Sequence, residues 1–321
     1  MEPLAEPAGA LGHDRRHALI QAMPWVFVLI WSTGFVVARF GMPHAPPFSF
    51  LAMRYALSIA CFLVWTLLAR VEWPAAPAQW LHLAVVGTLL HAGYLGGVWA
   101  AVKAGIGAGT VALIVGLQPV LTALWITLSA GGLERAGSRA SARVSGRVSG
   151  RVSVRQWLGL TLGFGGLALV VWHKLGGGEV TLRNLSFAVI GLLAITTGTL
   201  YQKRFVMACD VRSASAIQLL AAFAVTLPLA LLETEPMRWH PQLIGALAWS
   251  VAVLTLGGSS LLYLLIQRGA ATRVTSLMYL VPPCTATLAW ALFGEAVTWS
   301  MLAGMVLTVC GVAMVVRSSV Q

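Results

Sequence analysis

Long apolar runs separated by short polar breaks extend along nearly the whole chain. Ten such runs lack Asp, Glu, Lys and Arg, apart from Arg54 inside the second run. Because a helix needs about 20 mostly apolar residues to cross a bilayer, each run predicts one membrane-spanning helix. The runs cover residues 18–38, 40–69, 73–102, 104–133, 156–173, 184–202, 213–232, 239–267, 274–294 and 296–316.

The composition supports an integral membrane protein and excludes several other classes. Of 321 residues, 58% are hydrophobic and 10% are charged, and the mean hydropathy is +0.83. Soluble proteins carry about 25% charged residues, so this chain is neither a soluble enzyme nor a disordered segment. The four cysteines include no C-x-x-C spacing, which predicts no disulfide scaffold, no metal site and no redox pair. We expect no cofactor.

The net charge of +11 is distributed as in a membrane protein, so we expect no nucleic-acid partner. With the N-terminus in the cytoplasm, 15 basic residues fall inside and 4 fall outside, and Arg39 and Arg54 lie at membrane depth. This bias places both termini in the cytoplasm. Six of the inside arginines lie between Arg135 and Arg155, where a four-residue repeat fits either a solvated loop or a basic face against anionic lipid.

The two halves of the sequence align with each other. A constant offset of 164 residues pairs Ser32 with Thr196, Arg54 with Gln218 and Pro119 with Pro283, and the fifth helices match at an offset of 145. Five helices per half reverse the direction of entry, which makes an inverted repeat of the kind found in secondary transporters. We therefore predict an all-α integral membrane protein with ten transmembrane helices in two inverted five-helix repeats.

This organisation divides the chain into five predicted segments. Both repeats are bordered by cytoplasmic tails, and the basic loop interrupts the first repeat. The segments are a tail at 1–22, a first repeat at 23–173 with its Arg-rich loop at 134–155, a second repeat at 184–316, and a tail at 317–321.

The motifs in these spans resemble the EamA-type, ten-helix form of the drug/metabolite transporter superfamily, over residues 23–316. The resemblance implies a bacterial inner-membrane metabolite carrier that works by alternating access, and it implies no particular substrate. The Arg-rich insertion departs from the family pattern. The matching residues are Trp31-Ser-Thr-Gly-Phe, Arg39, Pro46-Pro47, Phe50, Arg54, Gly269, Val274, Pro282-Pro283, Phe293-Gly294-Glu295, Gly304 and Gly311.

Arg54 is the main candidate for substrate recognition. It lies about seven residues into the second predicted helix, roughly 10 Å from its start. A charge at that depth costs about 2.5 kcal/mol or more unless it is paired or wetted. Either Arg54 recognises a substrate carboxylate or phosphate, since guanidinium suits planar oxyanions, or it snorkels to the outer interface in a structural role. Gln218 occupies the equivalent place in the seventh helix without a charge.

Other side chains within the spans are candidate contacts. His91, near the middle of the third helix, fits either a proton relay or a neutral packing residue. Gln118-Pro119 and Pro282-Pro283 lie at equivalent places in the fourth and ninth helices, and their kinks fit either a cavity lining or plain packing. The predicted substrate-binding residues are Trp31, Arg54, His91, Tyr94, Trp99, Gln118, Gln218 and Tyr263.

Two further features leave alternatives open. Gly159 and Gly163 form a G-x-x-x-G pair that fits either a homodimer seam or packing inside one chain. Glu295, at the outer end of the ninth helix, fits a gate, a proton site or a solvated helix end.

The inverted repeat predicts a secondary transporter, and the family resemblance implies export of an amino acid or related metabolite, with proton entry as a candidate driving reaction. No nucleotide-binding P-loop occurs, which argues against a primary pump. No Asp lies in any predicted span, and neither H-E-x-x-H nor G-x-S-x-G occurs, which argues against an enzyme. The alternatives are an importer and a non-transporting receptor or assembly factor.

Overall fold

The computed structural model describes residues 8–122, 124–125, 154–176, 178–258, 260–261, 265 and 278–319. These residues form ten helices and contain no strand. Tyr263 and most of the Arg-rich loop lie outside the described residues. The helices are α1 (Ala8–Gly41), α2 (Pro47–Leu68), α3 (Pro77–Lys103), α4 (Ala108–Thr122), α5 (Val154–Gly176), α6 (Leu182–Phe205), α7 (Val211–Leu231), α8 (Pro241–Gly257), α9 (Met278–Phe293) and α10 (Trp299–Ser319).

Each of these helices overlaps one predicted apolar run, which confirms the prediction of a ten-helix membrane protein. By length and composition, α2, α3, α6, α7 and long parts of α1 and α5 can each cross a bilayer, and α4, α8, α9 and α10 contain shorter apolar segments. Residues on the outer faces of the helices, such as Leu67, Trp172 and Leu231, are at least 75% exposed. Apolar side chains in such positions face lipid.

The loops collect at two ends of the molecule, as helices that cross alternately require. At one end, Lys103 Nζ donates to the Met42 carbonyl at 2.9 Å and to Glu235 Oε1 at 2.7 Å, which joins three loops. At the other end, Gln79 Nε2 donates to the Met207 carbonyl at 2.9 Å. The first end is the outer one in the orientation predicted from the basic residues.

The helix pairings repeat under exchange of the two halves. Three pairs relate a helix to its own counterpart: α2 with α7, α4 with α9, and α5 with α10. Other pairs are counterparts of one another. In the first set, α1 packs on α8 and α9, and its counterpart α6 packs on α3 and α4. In the second, α2 packs on α8, and its counterpart α7 packs on α3. This exchange symmetry supports the five-helix repeats that the 164-residue offset predicts.

The glycines of α5 face α10 inside the same chain. A Cβ on Gly311 would overlap the backbone of Gly159 and Gly163, and a Cβ on Gly166 would overlap the Gly304 carbonyl. Small residues at these places let the two helix backbones approach closely. The G-x-x-x-G pair is therefore occupied by packing within one chain.

Both α3 and α8 contain a π-helical stretch, at Thr88–Leu95 and Ser250–Gly257. These stretches lie at nearly equivalent places in the two halves. A π turn widens the helix and alters its hydrogen bonding, and it frequently marks a functional site. Here side-chain hydroxyls occupy carbonyls of the wide turns: Thr255 Oγ1 donates to the Ser250 carbonyl at 2.9 Å, and the Tyr55 hydroxyl donates to the His91 carbonyl at 2.8 Å.

Candidate functional site

Arg54 projects from α2 across the boundary between the halves. Its side chain is buried, with 7% of the residue exposed. Nε and Nη2 donate to the Thr255 hydroxyl on α8, at 3.3 and 3.1 Å. The guanidinium therefore stays within the helix bundle, against a neutral partner, and does not snorkel to the outer interface.

The charge of Arg54 has no counter-charge in the part of the chain that the structure describes. The ion pairs found there involve other residues, at or near helix ends: Arg39 with Glu295, Lys103 with Glu235, Lys174 with Glu179, and Arg212 with Asp210. An isolated cation in the membrane interior is expensive and marks a candidate functional residue.

A second polar pair is the symmetry counterpart of the first. The His91 ring on α3 and the Gln218 side chain on α7 lie next to each other. The 164-residue offset pairs Arg54 with Gln218 and His91 with Thr255. The contact between Arg54 and Thr255 is thus repeated by the contact between Gln218 and His91, and the permanent charge is on one side only.

Four of the predicted site residues come together around this double pair: Arg54, His91, Tyr94 and Gln218. Tyr94 is buried on α3 and close enough to Arg54 for an electrostatic interaction. The sequence analysis missed Thr255, although the same offset that paired Arg54 with Gln218 pairs Thr255 with His91. It also missed Tyr55, which is fully buried on α2 beside Arg54.

A small cleft, with a cavity volume of about 50 Å³, lies between helices of both halves. Trp31 on α1, Gln118 on α4 and Tyr279 on α9 are among its lining residues. Gln118 Nε2 donates to Thr199 Oγ1 on α6 at 3.1 Å, so this amide bridges the halves at the cleft. Pro119 and Pro282, from the paired proline positions, also line it.

Trp99, another predicted contact residue, lies away from the cleft and from Arg54. Trp99 is 1% exposed and stacks on Phe50, with ring centroids 4.3 Å apart, so it belongs to the packed core. Tyr263 lies outside the described residues. Tyr201, another aromatic within a span, accepts or donates a 2.9 Å hydrogen bond with His82 towards the inner ends of α6 and α3.

The outer end of α4 is capped by two carboxylates. The Gly107 amide donates to Glu179 Oε1 at 3.2 Å, and the Ala108 amide donates to Glu295 Oε1 at 3.1 Å. Negative charge is favourable there because the helix dipole is positive at its N-terminus. The Glu295 side chain is 15% exposed, and its second oxygen is buried without a hydrogen bond to the described residues. Glu295 is thus a buried cap and not a solvated helix end.

Comparison with known proteins matches two separate segments of the chain to one family. Residues 22–131 and 182–317 match the model of the EamA-like transporter family. The chain belongs to the EamA-like transporter family. The first matched segment of this EamA-like transporter contains α2–α4 and most of α1, and the second contains α6–α9 and most of α10.

Several relatives carry transporter names. An uncharacterized transporter of Archaeoglobus fulgidus is 24% identical over 299 residues, covering 89% of this chain and 93% of the relative. A probable amino-acid metabolite efflux pump of Salmonella typhimurium is 22% identical, covering 88% and 90%. The uncharacterized inner membrane transporter YedA of Escherichia coli K12 is 25% identical, covering 84% and 81%.

A solved crystal structure shares the fold. It superposes with a TM-score of 0.57 at 18% identity, covering 92% of this chain and 96% of the other. The family, the relatives and the helices together establish a membrane transporter of the EamA type.

Proposed function

We propose that this EamA-like transporter exports an amino acid or a related small metabolite across the bacterial inner membrane, with both termini in the cytoplasm. The observation that carries the proposal is the cleft between helices of both halves, where Gln118 and Thr199 meet. Binding at the boundary between inverted repeats is what alternating access requires, because one half can rock on the other around a fixed site. The name of the Salmonella relative supports the amino-acid class.

Outward movement against a gradient needs a source of energy. We propose that proton entry supplies it, with His91 and Glu295 as the candidate proton carriers. His91 lies in the central pair, and Glu295 lies at the outer end on the α4 cap. An inward proton gradient would then drive the solute outward through the same alternation.

Metabolite pools inside and outside cells test the direction and the solute. Four strains are compared: a deletion, and three that produce wild type, Gln118→Leu or Gln202→Leu at equal membrane abundance. Gln118→Leu removes the polar bridge of the cleft. Gln202→Leu is the matched control, since Gln202 lies exposed near the inner end of α6. We expect one solute to appear outside with wild type and Gln202→Leu, and to stay inside with the deletion and Gln118→Leu.

Each other outcome points to a specific alternative. A solute that accumulates inside with the wild type, and less so in the deletion, would make the protein an importer. No change in any pool, followed by no flux in proteoliposomes, would favour a receptor or assembly factor over a transporter.

A further inference from the structure

We propose that Arg54, together with the buried polar side chains beside it, binds the carboxylate of the transported solute, so that the carrier selects carboxylic-acid metabolites. This inference rests on the proposed function, because it names the chemical group by which the solute is held. It assigns to Arg54 and its neighbours a role that is separate from the Gln118 bridge.

The positive charge of the Arg54 guanidinium is not balanced by a negative charge among the described residues. Arg54 is more than nine-tenths buried, and a single neutral hydroxyl, that of Thr255, receives its recorded hydrogen bonds. A guanidinium has five N–H donors, and most of them have no acceptor among the described residues. A bound anion would supply both the acceptors and the counter-charge.

A carboxylate matches the charge at Arg54 better than a phosphate monoester does. A carboxylate carries one negative charge and accepts two parallel hydrogen bonds from a guanidinium. A phosphate monoester carries about −1.5 to −2 and calls for a second cation. The described groups beside Arg54 are Tyr55, His91, Tyr94 and Thr255, none of them a Lys or Arg. One positive charge therefore matches one carboxylate.

The polar side chains next to Arg54 differ in whether another described residue already contacts them. The Tyr55 hydroxyl donates to the His91 carbonyl, and Gln218 lies next to the His91 ring. The Tyr94 hydroxyl, in contrast, makes no recorded hydrogen bond within the described part of the chain. It would donate to the carboxylate oxygen that faces away from Arg54.

Arg54 and its partner Thr255 are connected to the cleft through α8 and α1. Leu254, which precedes Thr255 on α8, packs against the place where a Cβ on Gly34 would lie. Gly34 is on α1 between Trp31 and Phe35, and both of these line the cleft. Leu254 therefore links the part of α8 that carries Thr255 to the part of α1 that lines the cleft. We place the carboxylate of the solute at Arg54 and its side chain towards the cleft.

Flux from proteoliposomes tests the proposal. Vesicles containing wild type, Arg54→Gln, Arg54→Lys or the control Arg183→Gln are loaded with the twenty L-amino acids, and release is followed by mass spectrometry. Each released amino acid is then tested against its own carboxamide as competitor. Arg183 is a matched control because it lies exposed at the start of α6. Arg54→Gln introduces the residue that Gln218 already supplies in the other half.

We expect the acid to compete at least about tenfold better than the amide, and Arg54→Gln to release at least about tenfold less, since a hydrogen bond to a charged group is lost. Release through Arg54→Lys should lie between that of wild type and that of Arg54→Gln, and release through Arg183→Gln should equal that of wild type. Equal competition by the amide, or undiminished release by Arg54→Gln, would overturn the carboxylate site and leave the transport function standing.

A binding measurement separates the two levels of the proposal. Sodium acetate and acetamide are added to the purified proteins, and the midpoint of thermal unfolding is recorded. Acetate should raise the midpoint of wild type and Arg183→Gln but not that of Arg54→Gln, and acetamide should raise none. An Arg54-dependent acetate effect without any flux would refute the proposed function and keep the site. No acetate effect together with no flux would refute both.

Discussion

At the scale of single residues, the centre of the molecule contains two polar pairs that the internal repeat relates but does not make equal. Arg54 on α2 meets Thr255 on α8, and Gln218 on α7 meets His91 on α3. Only the first pair holds a permanently charged group. A substrate that binds between the halves therefore meets a charged surface on one side and a neutral surface on the other. This makes the site asymmetric, although the fold has two similar halves.

Removing the Thr255 hydroxyl should leave Arg54 without its partner. We expect Thr255→Val to lower the free energy of unfolding by about 1–3 kcal/mol, because a buried charged donor is left unsatisfied. In the Arg54→Gln background the same change should cost less, since the charge is gone. Unfolding in detergent micelles measures both, with Thr287→Val on the exposed face of α9 as control. An equal loss in both backgrounds would contradict the contact.

The sequence predicted part of this site because Arg54, His91 and Gln218 are unusual residues in apolar runs. Thr255 was missed because threonine is ordinary in membrane helices, where its hydroxyl can bond the preceding turn. The pairing of α2 with α8 could not be predicted from spacing alone, since it depends on how the halves pack. The repeat offset did contain the clue, because it relates Thr255 to His91.

At the scale of elements, α5 and α10 pack with their backbones in close contact. Gly311 on α10 faces the backbone of Gly159 and Gly163 on α5 without space for a side chain. On the same α5, Gly165 has nothing within 4 Å of the place where a Cβ would lie. These two kinds of glycine should respond oppositely to substitution.

We expect Gly311→Ala to lower the free energy of unfolding by about 1–3 kcal/mol, because the added methyl overlaps the backbone of α5. Gly165→Ala should be neutral or stabilising by up to about 1 kcal/mol, since alanine favours a helix over glycine. Thermal unfolding of the two variants measures the difference. Equal loss in both would contradict the packing of α5 against α10.

The start of α7 depends on a side-chain cap. Asp210 accepts from the Arg212 amide at 2.8 Å, and the Arg212 side chain, which bonds the same carboxylate, holds the pKa of Asp210 below its usual value. Asp210→Ala should cost about 1 kcal/mol at pH 7. Because the folded pKa is lowered, this stabilisation is present above about pH 4 and is lost as the pH falls through the folded pKa. The gap between the unfolding midpoints of the two proteins should therefore narrow as the pH falls below about 4. A gap unchanged with pH would argue against the charged cap.

Helix positions were predictable because each apolar run is long and bounded by charged or turn-forming residues. The π-helical stretches at Thr88–Leu95 and Ser250–Gly257 were not, because a widened turn leaves the same apolar composition. The start of α1 at Ala8, ahead of the predicted run at 18–38, was also missed, since the periodicity of apolar residues reports the span and not its helical extension.

At the scale of the whole molecule, the two halves form one membrane transporter through paired contacts that repeat under exchange. The halves meet in the central polar pairs, in the cleft, and at the outer end, where Glu295 of the second half caps α4 of the first. Rocking of one half on the other would have to break this outer cap while the central site keeps its solute.

The orientation of the whole chain can be tested with single cysteines. In a variant lacking the four native cysteines, Thr234→Cys lies exposed in the α7–α8 loop and Ala208→Cys lies exposed in the α6–α7 loop. We expect a membrane-impermeant maleimide applied outside to label position 234 and spare 208, in accord with the basic residues inside. Labelling of 208 alone would reverse the orientation.

The central claim is that the two halves move against each other to carry a solute across the membrane. His44 and His240 lie in outer loops of different halves, with stacked rings whose centroids are 4.4 Å apart. The decisive measurement is flux of the exported solute through His44→Cys/His240→Cys, in the cysteine-free background, before and after oxidation. The account predicts that the cross-link stops flux and that reduction restores it, while each single variant is unaffected by oxidation. Undiminished flux through the fully cross-linked protein would contradict it.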